Sequence, residues 1–507
     1  MKEGICYLVG AGPGDPELLT LKGRAVLEKA DVVIYDYLSN PELLKWAPES
    51  AERIYVGKKA GAHTLTQEGI NALLIEKTRE KKTVVRLKGG DPFLFGRGGE
   101  EAEALEIADC QFEIVPGVTS AIAGPAYAGI PVTHRAHNTA VTFFTGHEDP
   151  TKPESNLDYA ALAKVPGTKV MLMGVERLKT ITEEFAKAGM PAKTPVALVR
   201  WATTGQQETL TGTLADIAEK VEQAGLKPPA IAVFGEVVNL RKKLNWFETL
   251  PLFGQRIAVT RTQKQASELV NTLKALGADA FEMPTIRIEP APNKREFYEL
   301  VMDAHAYDWL IFTSPNGVDA FFKAFFEIYR DARDLGGVRI GAIGPATAAR
   351  VASYHLQVDL QPAKYVAEEI LTELQKENSV ENLKFLLARA EGAREMLAVE
   401  LTKLGAIVDE AVAYRTVPET DDVSGGVKRF REEGADWITF TSSSTAENFA
   451  AMKLPLPENL KIASIGPITS KTLKGLGLDL DVEAKKHDIP GLVEAIVSKA
   501  KKKGSKA

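Results

Sequence analysis

Short apolar runs alternate with stretches of helical spacing along almost the whole chain. Ile5–Val9, Asp31–Asp36, Ile54–Lys59, Val84–Leu87, Phe112–Val115, Val141–Glu148, Val170–Met173, Val196–Arg200 and Ile231–Phe234 each read as a buried strand bounded by turn residues. Between them lie helix-spaced segments such as Leu18–Leu27, so the pattern predicts an α/β protein throughout. After Leu240 the sequence turns charged and then aromatic, LRKKLNWFETLPLFGQ, which reads as an interdomain linker. A new strand opens at Arg256–Arg261, and from there the chain repeats itself. Arg261 recurs as Arg389, Leu276-Gly277 as Leu404-Gly405 and Phe312-Thr313-Ser314 as Phe440-Thr441-Ser442, all 128 positions apart, with Gly344-Pro345 recurring as Gly466-Pro467 at a shorter offset. That period is too long for a solenoid and predicts a bilobed α/β unit with a cleft between similar lobes.

Composition narrows the class without naming it. The chain has 507 residues, 45% hydrophobic and 26% charged, with a formal net charge of −6. It is long enough for two to four domains, and its charge disfavours non-specific nucleic-acid binding. The basic end, Lys501-Lys502-Lys503 onward, is expected to be a solvated tail. Two cysteines, Cys6 and Cys110, carry neither CxxC nor Cys/His spacing, so no disulfide framework or zinc site is indicated and a reducing compartment is expected. The longest uncharged run, Ile114–Thr133, is interrupted by Pro116, Pro125 and Pro131, and no membrane span is expected.

Candidate chemistry gathers where strands end. Val84 to Glu101, VVRLKGGDPFLFGRGGEE, sets paired glycines and Asp91 behind a strand, where a ligand can approach backbone unobstructed by a Cβ. A tight turn with a capping aspartate explains GGDP equally well. Gly10-Ala11-Gly12-Pro13-Gly14-Asp15 imitates a dinucleotide fingerprint, but Asp15 stands where its third glycine belongs and Pro13 lacks the amide a phosphate loop needs. An NAD-binding reading is therefore rejected. In each copy of the later repeat a strand ends in Phe-Thr-Ser and a helix follows (Asn316–Phe325 and Thr445–Ala451), which places hydroxyls and free amides at helix N-termini. Plain N-capping by Ser314 and Ser442 is expected in either case.

VGAGPGDPELLTLKG, DVVIYDYL, VGKKAG, VVRLKGGDPFLFGRGGEE, VPGVTSAIAGPAYAGIPVTHR, Met173-Gly174 and PPAIAVFG, in that order, resemble the uroporphyrinogen-III C-methyltransferases of the tetrapyrrole methylase superfamily. The resemblance implies a two-lobed fold over residues 1–245 that binds S-adenosylmethionine (SAM), needs no metal and forms homodimers. It implies SAM contacts at Pro13, Gly89, Gly90, Asp91, Leu94, Thr119, Ser120, Met173, Ala202 and Ala230, with Asp36 and Lys58 as the acid/base pair. A substrate with eight carboxylates calls for local positive charge, for which Lys58, Lys59, Arg86, Lys88, Arg97, His134 and Arg135 are available, Arg97 and Arg135 being the chosen substrate contacts.

Beyond a linker at 246–254, VTR, FTSPNGVDAFF, IGPATA, YRT, FTSSSTAENF and IGPITS resemble uroporphyrinogen-III synthase over 255–500, followed by the basic tail 501–507. That resemblance implies two lobes, about 255–289 plus 416–500 and 290–415, with the chain crossing between them, and no cofactor. Tyr414 matches the tyrosine favoured as acid; Thr313, Ser314, Thr347, Thr441, Ser442 and Thr469 become carboxylate contacts, with Arg261 and Arg389 weaker. A cytoplasmic enzyme making precorrin-2 from hydroxymethylbilane follows, its product destined for sirohaem, cobalamin or haem. Superfamily members that methylate ribosomal RNA or a modified histidine, and a second half that only binds or scaffolds, are the alternatives.

Overall fold

The computed structural model describes residues 4–57, 65–147, 157–261, 263–362, 367–377, 379–393, 395–420, 422 and 425–500. The strands form four five-stranded sheets, two in each half of the chain. The first, of β1 (Ile5–Gly10), β2 (Val32–Tyr35), β3 (Glu52–Tyr55), β4 (Thr83–Lys88) and β5 (Gln111–Val115), has the order β3-β2-β4-β1-β5 with every pair parallel. The second contains β6 (Val141–Thr145), β7 (Thr168–Leu172), β8 (Pro195–Arg200), β9 (Glu208–Thr213) and β10 (Ala230–Phe234); only its β6-β7 pair is parallel.

The other half contributes β11 (Arg256–Val259) and β12 (Asp279–Glu282), then β13 (Ile286–Pro290), β14 (Trp309–Phe312), β15 (Arg339–Ala342), β16 (Lys384–Ala390) and β17 (Ile407–Pro418), and finally β18 (Trp437–Phe440), β19 (Lys461–Ser464) and β20 (Val482–Glu483). Their sheets are ordered β12-β11-β18-β19-β20 and β13-β17-β16-β14-β15. Each sheet therefore takes part of each sequence repeat: β11 and β12 correspond to β16 and β17, while β18 and β19 correspond to β14 and β15. The antiparallel ladder β13-β17, pairing Ile286 with Pro418, lies where the chain passes between the two sheets.

Period-two alternation decides what each sheet buries. In β1, Cys6 and Leu8 join one core while Val9 joins the other; in β14, Leu310 and Phe312 face one side and Trp309 and Ile311 the opposite side. All four sheets are covered on both faces in this way, which leaves the carboxyl ends of the strands as the natural place for chemistry. The 246–254 segment is packed: Phe247 and Leu252 are buried, and Phe247 stacks edge-on against Tyr127 and Phe253. It is no free tether. Among the described residues no helix is long and apolar enough to cross a membrane.

Candidate functional site

Three loops meet at the carboxyl ends of β1, β4 and β5. Gly10, Gly90 and Gly117 abut so closely that a Cβ on Gly10 would overlap Gly117 Cα, and one on Gly117 would overlap the Gly90 carbonyl. Gly12 and Gly90 exchange backbone hydrogen bonds, N–H to O, of 3.2 and 2.7 Å. Asp91 braces this floor: its Oδ1 accepts from the amides of Phe93 (2.8 Å) and Leu94 (3.0 Å), and its Oδ2 accepts from Gly117 (2.9 Å). The capping reading of that carboxylate thus holds, and its effect is to tie β4 to β5. Gly90 has φ +71°, and the nearest atom to a Cβ there would be 3.8 Å away, so its open side faces a space a ligand could fill.

That space is part of a cleft of about 2530 Å³. All ten residues matched to SAM contacts line it: Pro13, Gly89, Gly90, Asp91, Leu94, Thr119, Ser120, Met173, Ala202 and Ala230. Met173, 52% exposed at φ +54°, follows the end of β7. The open glycine floor and small residues let a ligand approach the backbone closely, beside apolar side chains such as Leu94, Met173 and Ile231. Asp15 caps the turn at Pro16–Leu18 and makes two further contacts, its amide donating to Thr203 Oγ1 (3.0 Å) and its Oδ2 accepting from the Tyr127 hydroxyl (2.9 Å). The loops 12–16 and 201–207 are thereby joined. Tyr127, Trp201 and Thr203 belong to this wall although sequence reasoning passed over them; the GPAYAGIP run around Tyr127 was the only signal.

Of the other matched residues that the structure describes, Asp36, Arg97 and Arg135 fall outside this lining. Asp36 stands beside the cleft, between the lining residues Tyr35 and Tyr37. Its Oδ1 accepts from the Leu38 amide (3.2 Å) and Ser39 Oγ (3.3 Å), and its Oδ2 from Arg86 Nη2 (3.1 Å). Lys58 and Lys59 lie outside the described residues. Arg97 and Arg135, chosen for substrate, are exposed and do not line the cleft; Arg97 pairs through Nε and Nη2 with Glu100 at 2.9 and 2.7 Å, a local i,i+3 contact that occupies its guanidinium.

In the other half, four helices begin at the carboxyl ends of β14, β15, β18 and β19, their N-caps being Ser314, Gly344, Ser442 and Gly466. Ser314 Oγ accepts from the Gly317 amide (3.1 Å) and shares a hydrogen bond of 2.9 Å with the Tyr414 hydroxyl. Burial raises the proton affinity of Tyr414, and its hydrogen bonds to Ser314 and Asn316 offset part of that rise. Ser442 Oγ accepts from Thr445 (3.3 Å), so the repeat places equivalent caps in both lobes. Thr313 Oγ1 donates to the Ala388 carbonyl (3.4 Å) and Thr441 is half-buried. Thr347 and Thr469, matched to carboxylate contacts, are buried in the first helical turn, while the neighbouring Ala346 and Ile468 are exposed. Arg389 is buried and ion-paired with Glu410, and Arg261 is half-buried.

The two halves touch directly. Gly205 packs on the backbone of Ala278 and Asp279, Gln206 Nε2 donates to Asp279 Oδ2 at 3.0 Å, and Lys274 pairs with Glu42. Asn271, Lys274 and Asp279 consequently extend the wall of the first cleft.

Comparison with known proteins agrees with this division. The family "Tetrapyrrole (Corrin/Porphyrin) Methylases" matches residues 6–218, and the family "Uroporphyrinogen-III synthase HemD" matches residues 267–494. The "Porphyrin biosynthesis protein HemD" of Ruminiclostridium josui is 37% identical over 98% of both chains. An S-adenosyl-L-methionine-dependent uroporphyrinogen III methyltransferase of Methanosarcina barkeri is 57% identical over 47% of this chain and 93% of its own. Among solved structures, uroporphyrin-III C-methyl transferase from Thermus thermophilus, complexed with S-adenyl homocysteine, is 41% identical, covers 47% of this chain and 100% of that one, and has a TM-score of 0.41. The chain belongs to the family in which a tetrapyrrole methylase is fused to a HemD-type uroporphyrinogen-III synthase.

Proposed function

We propose that this chain carries two consecutive steps of tetrapyrrole biosynthesis: the second half closes hydroxymethylbilane to uroporphyrinogen III with inversion of ring D, and the first half methylates that product at C2 and C7 to give precorrin-2. The observation that carries the reading is the floor of three abutting glycines opening into a cleft lined by all ten residues matched to SAM contacts. When bound there, SAM supplies an already activated methyl group. The chain's own task is then alignment, and, because the methylated ring carbon already carries a side chain and has no hydrogen to lose, removal of one proton from elsewhere in the pyrrole system. We assign that proton to the Asp36 carboxylate, with Lys58 as its partner, because Asp36 directly follows β2 next to the cleft lining and stays partly exposed, at 26%.

In the second half Tyr414 donates its phenolic proton to the departing hydroxyl, which leaves as water, and Ser314 holds the phenol oxygen in place. The helix N-termini at Ser314, Gly344, Ser442 and Gly466 offer amides to the acetates and propionates of the substrate. We read this half as needing no cofactor, the partners as small tetrapyrroles and not nucleic acid, the location as cytoplasmic, and the assembly as a homodimer through the first half.

Anaerobic turnover of enzymatically generated hydroxymethylbilane, with and without SAM, tests the proposal through isomer composition and methyl count. Uroporphyrinogen III without SAM and a doubly methylated product with it are expected. Methylation of preformed uroporphyrinogen III alone would reduce the second half to a binding module. Cyclisation alone would return the first half to RNA or protein substrates.

A further inference from the structure

Behind Asp36 lies a closed chain of charges that nothing in the cleft requires. Arg86, on β4 and 3% exposed, donates from Nη2 to Asp36 Oδ2 (3.1 Å), from Nε to Glu101 Oε1 (3.2 Å) and from Nη1 to the Leu87 carbonyl (3.2 Å). Lys88, two residues along the same strand face, donates to the same Glu101 oxygen at 2.8 Å. Glu101, from helix Gly98–Ile107, is fully buried, and its Oε2 has no hydrogen-bond partner among the described residues. Of these four side chains only Asp36 retains appreciable exposure.

A buried ion pair is weak evidence for stability, because well-packed apolar residues of the same volume usually serve as well. This network does something apolar residues could not: it ends on a carboxylate at the edge of the cleft and holds Oδ2 while Leu38 and Ser39 hold Oδ1. We propose that Arg86 and Glu101 are positioning residues for Asp36, Arg86 fixing the orientation of its carboxylate and Glu101 holding Arg86 in place. The inference rests on Asp36 as proton acceptor. Both are buried behind Asp36, Arg86 at 3% and Glu101 at 0% exposure, and cannot touch a ligand in the cleft, so neither is a catalytic residue.

Among the described residues, few other titratable groups stand near Asp36. Tyr35, the last residue of β2, and Tyr37, in the turn beyond it, flank Asp36 in sequence, and Tyr55 comes from β3, its phenol held protonated by burial and then by the charge of Asp36. Lys88 reaches the network from β4, its proton affinity lowered by burial and partly restored by Glu101. Cys6, from β1, is kept as a neutral thiol chiefly by burial.

The signs make the test discriminating. Glu101→Gln removes a negative charge and leaves two cations near Asp36, so the acid limb of the methylation rate profile should move down by about one pH unit. Arg86→Gln removes the cation and leaves Glu101 facing Asp36, so the limb should move up by a similar amount. Both are measured in the full chain with uroporphyrinogen III and SAM, alongside binding of S-adenosylhomocysteine by calorimetry, expected within twofold of wild type. Asp36→Asn is the reference and should abolish the limb with at least a tenfold loss of kcat. Full turnover by Asp36→Asn would overturn the Asp36 reading itself. Loss of turnover there, with the limb unmoved or moved the same way in both other variants, would overturn the positioning role alone. Should Arg86→Gln fail to bind S-adenosylhomocysteine, the downward shift in Glu101→Gln decides.

Discussion

Tyr414 keeps its proton more firmly than a free phenol because it is buried, and the Ser314 hydroxyl anchors its oxygen. Tyr414→Phe should therefore lower the cyclisation rate at least about tenfold and leave methylation untouched, as separate assays would read. Since its proton affinity is raised from an ordinary value of 10.0, the wild-type cyclisation rate should show no alkaline limb from this residue below about pH 10. Gly90 makes the complementary case. Its φ of +71° would cost an alanine about 1 kcal/mol, and the methyl would enter the open side of the floor, so Gly90→Ala should weaken S-adenosylhomocysteine binding at least about tenfold while cyclisation persists. Glycine clusters behind strands were legible in sequence because their backbone demands are local. The partnership of Asp36, Arg86 and Glu101 was not. It joins a strand end, a neighbouring strand and a helix, and in the sequence Arg86 is merely one basic residue among several near the cleft motifs.

Elements show the same division between local and non-local information. The recurring Phe-Thr-Ser signal ends β14 and β18 and opens helices capped by Ser314 and Ser442, as N-cap chemistry expects. Ser442→Ala and Ser314→Ala should each lower stability by about 1 kcal/mol, measurable as a fall in Tm. Boundaries were read less well. β3 spans Glu52–Tyr55, where the sequence had suggested Ile54–Lys59, because pairing with β2 sets its ends. β9 was missed: Glu208–Thr213 is an edge strand paired only with β8, and its threonines give little apolar alternation. The burial of Thr347 and Thr469 was not legible in the sequence, because a side chain within the first helical turn can face either the solvent or the core.

Across the whole molecule the halves behave as docked bodies. The composition of 246–254 betrayed a junction, yet its packing against Tyr127 depends on partners more than a hundred positions away. A bulky side chain at Gly205 would collide with the Asp279 backbone, so Gly205→Val should split thermal unfolding of the full chain, read by calorimetry, into two resolved transitions. Asp279 adds a pH signature. Burial alone would raise its proton affinity, but Arg429 and Arg256 outweigh that and hold it below the ordinary carboxylate value. Its stabilising effect is therefore complete above about pH 4 and fades as pH falls below that. Tm of the wild type should drop steeply in that acid window, and Asp279→Asn should start lower and flatten the drop.

The exchange of repeats between the last two sheets also bears on how the chain emerges from the ribosome. β11 and β12 leave early, but their sheet partner β18 follows on the order of 150 residues later. At roughly 5–20 residues per second, that leaves an unpaired, apolar strand edge waiting for roughly 8 to 30 seconds. The first sheet of the chain, by contrast, is complete once β5 has been made. Synthesis should thus deliver a folded methylase sheet long before the neighbouring half can close, and truncated nascent chains ending before β18 should expose β11 to chaperones or to aggregation.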